Sequence, residues 1–168
     1  DLILFQNNSH KDKRGYFMEL LRENLLKIKF PFLVMSFSKK KVIRGLHMQT
    51  KDSQGKFISV IKGKIFDVAV DIRKESKTFG KWISAELSSE NKKQLWIPVG
   101  FAHGFLTISD HAEVTFEMNI NKSANRKRLH RTKTTKNKFE FLNQIWFRIH
   151  RQKPQIYMSH IYIVRMRI

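Results

Sequence analysis

Lys56-Phe57-Ile58-Ser59-Val60-Ile61-Lys62-Gly63-Lys64-Ile65-Phe66-Asp67-Val68-Ala69-Val70-Asp71-Ile72-Arg73 is two strand-length runs around a Lys-Gly corner. β-Branched and aromatic residues fill both runs, as a pleated, half-buried surface requires. In the second run Asp67, Ala69, Asp71 and Arg73 share one face, and Val68, Val70 and Ile72 share the other. A strand with one polar and one apolar face suits a barrel or sandwich whose interior is wet. The spacing predicts a β-hairpin that turns at Lys62-Gly63.

The same pattern continues on both sides. Phe32 to Ser38 and Val42 to Gln49 read as strands separated by Lys39-Lys40-Lys41. Thr78 to Leu87 and Gln94 to Pro98 read as two more, followed by a tight turn from Gly100 to Gly104. Phe105 to Ser109 and Ala112 to Met118 read as a second hairpin across Asp110-His111. About eight short strands at regular spacing argue for an all-β sandwich or barrel of jelly-roll type. Near the start, Asp12-Lys13-Arg14-Gly15 reads as a turn, and residues 19–29 suit a short amphipathic helix ended by Pro31.

Beyond Met118 the composition shifts. No Gly follows Gly104 and no Asp follows Asp110. Residues 118–168 carry 13 Lys and Arg against one acid, Glu140, so most of the net charge of +19 lies there. The expected organisation is a domain over residues 1–118 and an irregular, basic segment over 119–168, of the kind a slipped reading frame or a decayed terminus produces. A basic surface attracts polyanions, but no nucleic-acid module is recognisable in the segment and nucleic acid is not the expected partner.

The 168 residues contain no cysteine, which excludes disulfides, thiolate metal sites and cysteine nucleophiles. No apolar run is long enough for a membrane helix, and Asp1-Leu2-Ile3-Leu4-Phe5 has no basic region ahead of an apolar core, so no signal peptide is expected in this stretch. The expected location is the cytoplasm. The absence of an initiator Met fits a fragment or a processed chain.

The chemistry-bearing residues gather in a few strands: Arg44, His47 and Gln49, then Lys56, then Asp71 and Arg73, then His103. A single histidine on a strand commonly serves only as a structural hydrogen-bonder. In company, arginine forks suit phosphate oxygens, histidine suits proton abstraction near neutral pH, and a lysine stabilises an enolate. A metal site of the cupin kind would pair His47 with a second histidine two residues on, where Gln49 stands.

Several motifs together resemble the dTDP-4-dehydrorhamnose 3,5-epimerase family over residues 1 to about 118. They are Asp12-Lys13-Arg14-Gly15-Tyr16-Phe17-Met18-Glu19, Ser36-Phe37-Ser38, Val42-Ile43-Arg44-Gly45-Leu46-His47-Met48-Gln49, Gln54-Gly55-Lys56, Asp67-Val68-Ala69-Val70-Asp71-Ile72-Arg73, Ser76-Lys77-Thr78-Phe79-Gly80-Lys81-Trp82 and Ile97-Pro98-Val99-Gly100-Phe101-Ala102-His103-Gly104-Phe105. The resemblance implies a cupin-like jelly roll, a homodimer, and epimerisation of a nucleotide-linked 4-keto-6-deoxy sugar with neither metal nor redox cofactor. It implies His47 as base, Lys56 near the keto oxygen and His103 as a second site histidine. Arg44 would contact the diphosphate, and Arg14 and Glu19 the nucleotide, partly from the neighbouring subunit; Gln49 and Asp71 complete the expected substrate-binding set. Where the family has a tyrosine acid, this chain has Phe116. A further family tyrosine falls near Lys122. The carboxylate that orients the base has no late Asp to match it, and Leu33 and Val34 stand near a usual Gln and Asn. These departures leave open a catalytically impaired relative or a related keto-sugar isomerase.

Overall fold

The structure, a computed structural model, describes residues 1–48 and 53–120. Eleven strands and one helical turn follow in order: β1 (Ile3–Gln6), β2 (His10–Asp12), β3 (Gly15–Phe17), α1 (Glu23–Leu26), β4 (Phe32–Lys39), β5 (Ile43–His47), β6 (Gln54–Lys62), β7 (Lys64–Asp71), β8 (Trp82–Ser88), β9 (Lys93–Ile97), β10 (Phe101–Thr107) and β11 (His111–Ile120). A five-stranded sheet runs β1-β9-β6-β11-β4, a four-stranded sheet runs β5-β10-β7-β8, and β2 pairs with β3 alone. All pairings are antiparallel. The all-β jelly roll is as expected.

Two local expectations are corrected. β6 and β7 do not form a hairpin, because they lie in different sheets, and the same holds for β10 and β11. Gly63 turns the corner between sheets at φ +82, where a Cβ would collide with the His111 carbonyl oxygen. A hairpin turn and a sheet-to-sheet corner make the same demand on a glycine. Partners are then decided by which apolar faces close on each other. The helix expected over residues 19–29 contracts to the single turn α1, whose end is fixed by Lys27 at φ 51. β11 ends at Ile120, beside the boundary expected at residue 118, and the basic segment from residue 121 on lies outside the described residues.

The core lies between the sheets. Ile58, Val60, Leu95, Ile97, Ala112 and Val114 from the larger sheet meet Ile65, Ala69, Leu87 and Phe105 from the smaller one. Full burial of Phe105, 1% exposed, stabilises the fold by about 2–3 kcal/mol. Toward β4 and β5 the apolar filling gives way to polar side chains, and the candidate site begins there.

Candidate active site

His47 and His103 are directly opposed across β5 and β10. A bulge makes this possible. Phe105 pairs with Arg44, so three steps along β5 match two along β10. In a flat strand Arg44 and His47 would face opposite sides; the extra residue turns both inward. That residue is Gly45, at φ +129, where a Cβ would lie 2.5 Å from the Gly104 Cα and 2.8 Å from the His103 carbonyl oxygen. Gly45 and Gly104 therefore let the two histidine strands come together.

On the next strand, β7, Asp67 stands behind His103. The His103 Nε2 donates to Asp67 Oδ2 at 2.8 Å, and the two residues are 4% and 0% exposed. The second carboxylate oxygen, Oδ1, is buried without a hydrogen bond among the described residues. Lys56 reaches toward the same carboxylate from β6 of the opposite sheet. Burial pushes its ammonium down from the ordinary lysine value, and the charge of Asp67 resists the shift. Phe116 of β11 closes the space, edge-on to His103 at 6.2 Å between ring centres. The predicted catalytic set of His47, His103 and Lys56, with Phe116 beside them, thus converges on one interior.

The predicted binding residues divide. Arg44 lies inward at the rim, where its Nε donates to Ser38 Oγ at 2.8 Å and its Nη2 to the Phe37 carbonyl at 2.9 Å, joining β5 to β4 across the sheets. Gln49 falls outside the described residues. Arg14 and Glu19 are not brought to this interior within one protomer. Arg14 is at the exposed β2–β3 turn, paired with Asp12 at 2.6 Å, and Glu19 pairs with Arg22 at 2.7 Å. Their segment packs outside the five-stranded sheet, where Gln94 donates to the Leu20 carbonyl.

Asp71, also from the expected substrate-binding set, is taken up locally. Its carboxylate is spent on its own loop, accepting from the backbone N, Nε and Nη2 of Arg73 and from the hydroxyls of Ser76 and Thr78. Those donors, Arg73 first, hold it well below the usual carboxylate range. It organises the turn between β7 and β8 and carries Arg73 over the Phe101 ring, 4.7 Å from its centre. The residue that sequence reasoning missed is Asp67. It occupies the same face of the same strand, and the signal for it was a carboxylate in register to reach His103.

A jelly roll with an enclosed histidine–carboxylate pair and a desolvated lysine across from it defines a cupin-like protein equipped for proton transfer. The sequence profile of the family described as dTDP-4-dehydrorhamnose 3,5-epimerase matches residues 1–148. The chain is similar to dTDP-4-dehydrorhamnose 3,5-epimerase of Shigella flexneri, 47% identical over 126 residues that cover 71% of this chain and 70% of that protein. Among solved structures it resembles dTDP-6-deoxy-D-glucose-3,5-epimerase of Legionella pneumophila, in complex with dTDP-4-keto-L-rhamnose. The TM-score there is 0.69 and the identity 44%, covering 71% of this chain and 67% of that one. The Bacillus anthracis dTDP-4-dehydrorhamnose 3,5-epimerase, with TDP and PPi bound, gives a TM-score of 0.69 at 37% identity over 74% of this chain and 75% of that one. The chain belongs to the dTDP-4-dehydrorhamnose 3,5-epimerase family. The match to residue 148 carries the family likeness past the point, near residue 118, where the motifs end.

Proposed function

We propose that this protein epimerises a dTDP-linked 4-keto-6-deoxy sugar at the carbons flanking the ketone. The carrying observation is the opposition of His47 and His103, with Asp67 behind the second and Lys56 across from both. A ketone acidifies the C–H bonds beside it, since the electron pair released on deprotonation moves onto the carbonyl oxygen. The substrate is its own electron sink. His47 serves as base. A buried cation such as Lys56 stabilises the charge that develops on oxygen, and does so more strongly in a dry interior than in water. The Asp67 carboxylate orients the His103 ring through their hydrogen bond.

In this reading Arg44, at the rim, is the residue that meets the diphosphate. Arg14 and Glu19 lie outside the interior of their own protomer, which supports a homodimer in which they serve the partner's nucleotide. Leu33, Met35 and Phe37, 60%, 61% and 52% exposed on the outer face of β4, give that dimer an apolar surface. Among the described residues no helix is long and apolar enough to cross a membrane.

Phe116 favours a second reading, a protein that binds the sugar nucleotide without turning it over, because phenylalanine has no proton to give. Incubation in D₂O with dTDP-4-keto-6-deoxyglucose separates the two. Deuterium at C3 and C5 is expected, and deuterium at a single carbon would indicate a mono-epimerase. Saturable binding with no deuterium at either position would leave only the binding reading.

A further inference from the structure

Inverting a carbon by proton transfer takes a proton from one face and returns one to the other. In this interior a proton carrier can come from either of the two sheets. The four-stranded sheet presents His47, His103 and Asp67. Across from them, the inward positions of β4, β6 and β11 are almost wholly without proton carriers that titrate: Val34, Ser36, Ile58, Phe116 and Met118 occupy the stretch around Lys56. Among the described residues, Lys56 is the one titratable side chain at an inward position of those three strands. It pairs with Met118, one inward step along the sheet from the Ile58–Phe116 pair. Phe116 itself covers the His103 ring.

We infer that Lys56 is the acid that delivers the proton to the face of the substrate carbon opposite His47. The inference rests on the epimerase reading above and gives that site its missing half. His47 takes the C–H proton, and the bonding pair moves into the enolate. A Lys56 N–H bond then breaks, its proton forms the new C–H bond on the opposite face, and the enolate electrons return to carbon. His47 is left protonated and Lys56 as the neutral amine. Loss of one proton to water by the first and gain of one from water by the second restore the site. Desolvation makes the ammonium a readier donor than a lysine in water.

A lysine that only holds the oxygen and a lysine that donates to carbon give different results in D₂O. Lys56→Arg keeps a positive charge for the enolate, but a guanidinium does not give up a proton near neutral pH. Lys56→Gln keeps a hydrogen-bond donor without the charge. The full chain and both variants are incubated with dTDP-4-keto-6-deoxyglucose in D₂O, and NMR follows deuterium incorporation and inverted product separately. Lys56→Arg is expected to keep incorporation within about tenfold of the unaltered chain while inversion falls at least about 100-fold, the usual span of a lost acid. Lys56→Gln should also lose inversion by more than it loses incorporation. Adding Phe116→Tyr to Lys56→Arg, which puts a phenol on the same sheet, should recover inversion by about tenfold or more. Inversion by Lys56→Arg at the unaltered rate, or equal loss of incorporation and inversion in both variants, would overturn the assignment. Incorporation without inversion by the unaltered chain would overturn it too, leaving His47 as base. No incorporation by the unaltered chain would overturn the epimerase reading beneath it.

Discussion

Replacing Asp67 with asparagine isolates the charge behind His103 while keeping the shape of the side chain. The carboxylate is fully buried and accepts from His103 Nε2 at 2.8 Å. A hydrogen bond to a charged group contributes about 1.5–3 kcal/mol and a neutral one about 0.5–1.5. The exchange therefore removes about 1–2 kcal/mol from the hydrogen bond that holds the His103 ring, a rate loss of roughly 5- to 30-fold. Stability should move little. The variant weakens one hydrogen bond but also removes the cost of burying a carboxylate, and these effects have opposite signs. The expected melting midpoint lies within about 2–4 °C of the unaltered protein, the shift that 1 kcal/mol produces in a chain of this size. The assay is the initial rate of deuterium incorporation into the keto sugar, read alongside a thermal melt. A rate within twofold of the unaltered chain, with the melt in place, would refute the view that Asp67 acts through His103. A collapsed melt would refute it differently, marking Asp67 as a structural residue.

Gly45→Ala tests the bulge. Its φ of +129 and the 2.5 Å approach of a Cβ to the Gly104 Cα predict a loss of about 2–4 kcal/mol in chemical denaturation and a misplaced His47 with little activity. Near-normal stability would mean that the strand need not bulge there. Asp71→Asn should cost roughly 2–3 kcal/mol at pH 7 through its lost charge-assisted bonds. The depressed folded-state value fixes the sign for the unaltered protein. The stabilisation by Asp71 is complete above its unfolded value of 3.8 and declines as pH falls below it. The variant should lack that part of the acid unfolding, and an acid transition identical to that of the unaltered protein would contradict the network. Glu117 has the opposite sign. It is 8% exposed and burial raises its carboxyl above 4.5, so its ionisation costs stability as pH rises through the folded value. Glu117→Gln should melt at or above the unaltered temperature at pH 7, and a clear drop would show that the ionised form is stabilised.

The strands were legible because alternation with period two depends only on neighbouring residues. Their partners were not. Lys62-Gly63 looks the same whether the chain doubles back in one sheet or crosses to the other, and the choice rests on Ile58 and Val60 closing against Ile65 and Ala69 far along the two faces. In the site, His47, Lys56 and His103 stood out by residue type and motif, and the fold gathers them. Asp67 and Asp71 are both aspartates on the same face of one strand, and the sequence reading singled out Asp71 and passed over Asp67. The difference was partly local. Asp71 is followed by Arg73, Ser76 and Thr78, a string of donors within reach of its own loop. Asp67 has no such string, and its partner is 36 residues away, visible only once β7 and β10 are in register. The Gly45 bulge was also hidden, since the glycine's effect depends on Gly104 coming close from β10.

The central claim is that His47 removes a proton from a carbon beside the substrate's ketone. Its most direct test compares the unaltered chain with His47→Asn, an uncharged replacement of similar size, in D₂O with dTDP-4-keto-6-deoxyglucose. The unaltered chain should place deuterium at C3 and C5, and the variant should place it at least about 100-fold more slowly at both. Equal incorporation by the two proteins would contradict the account.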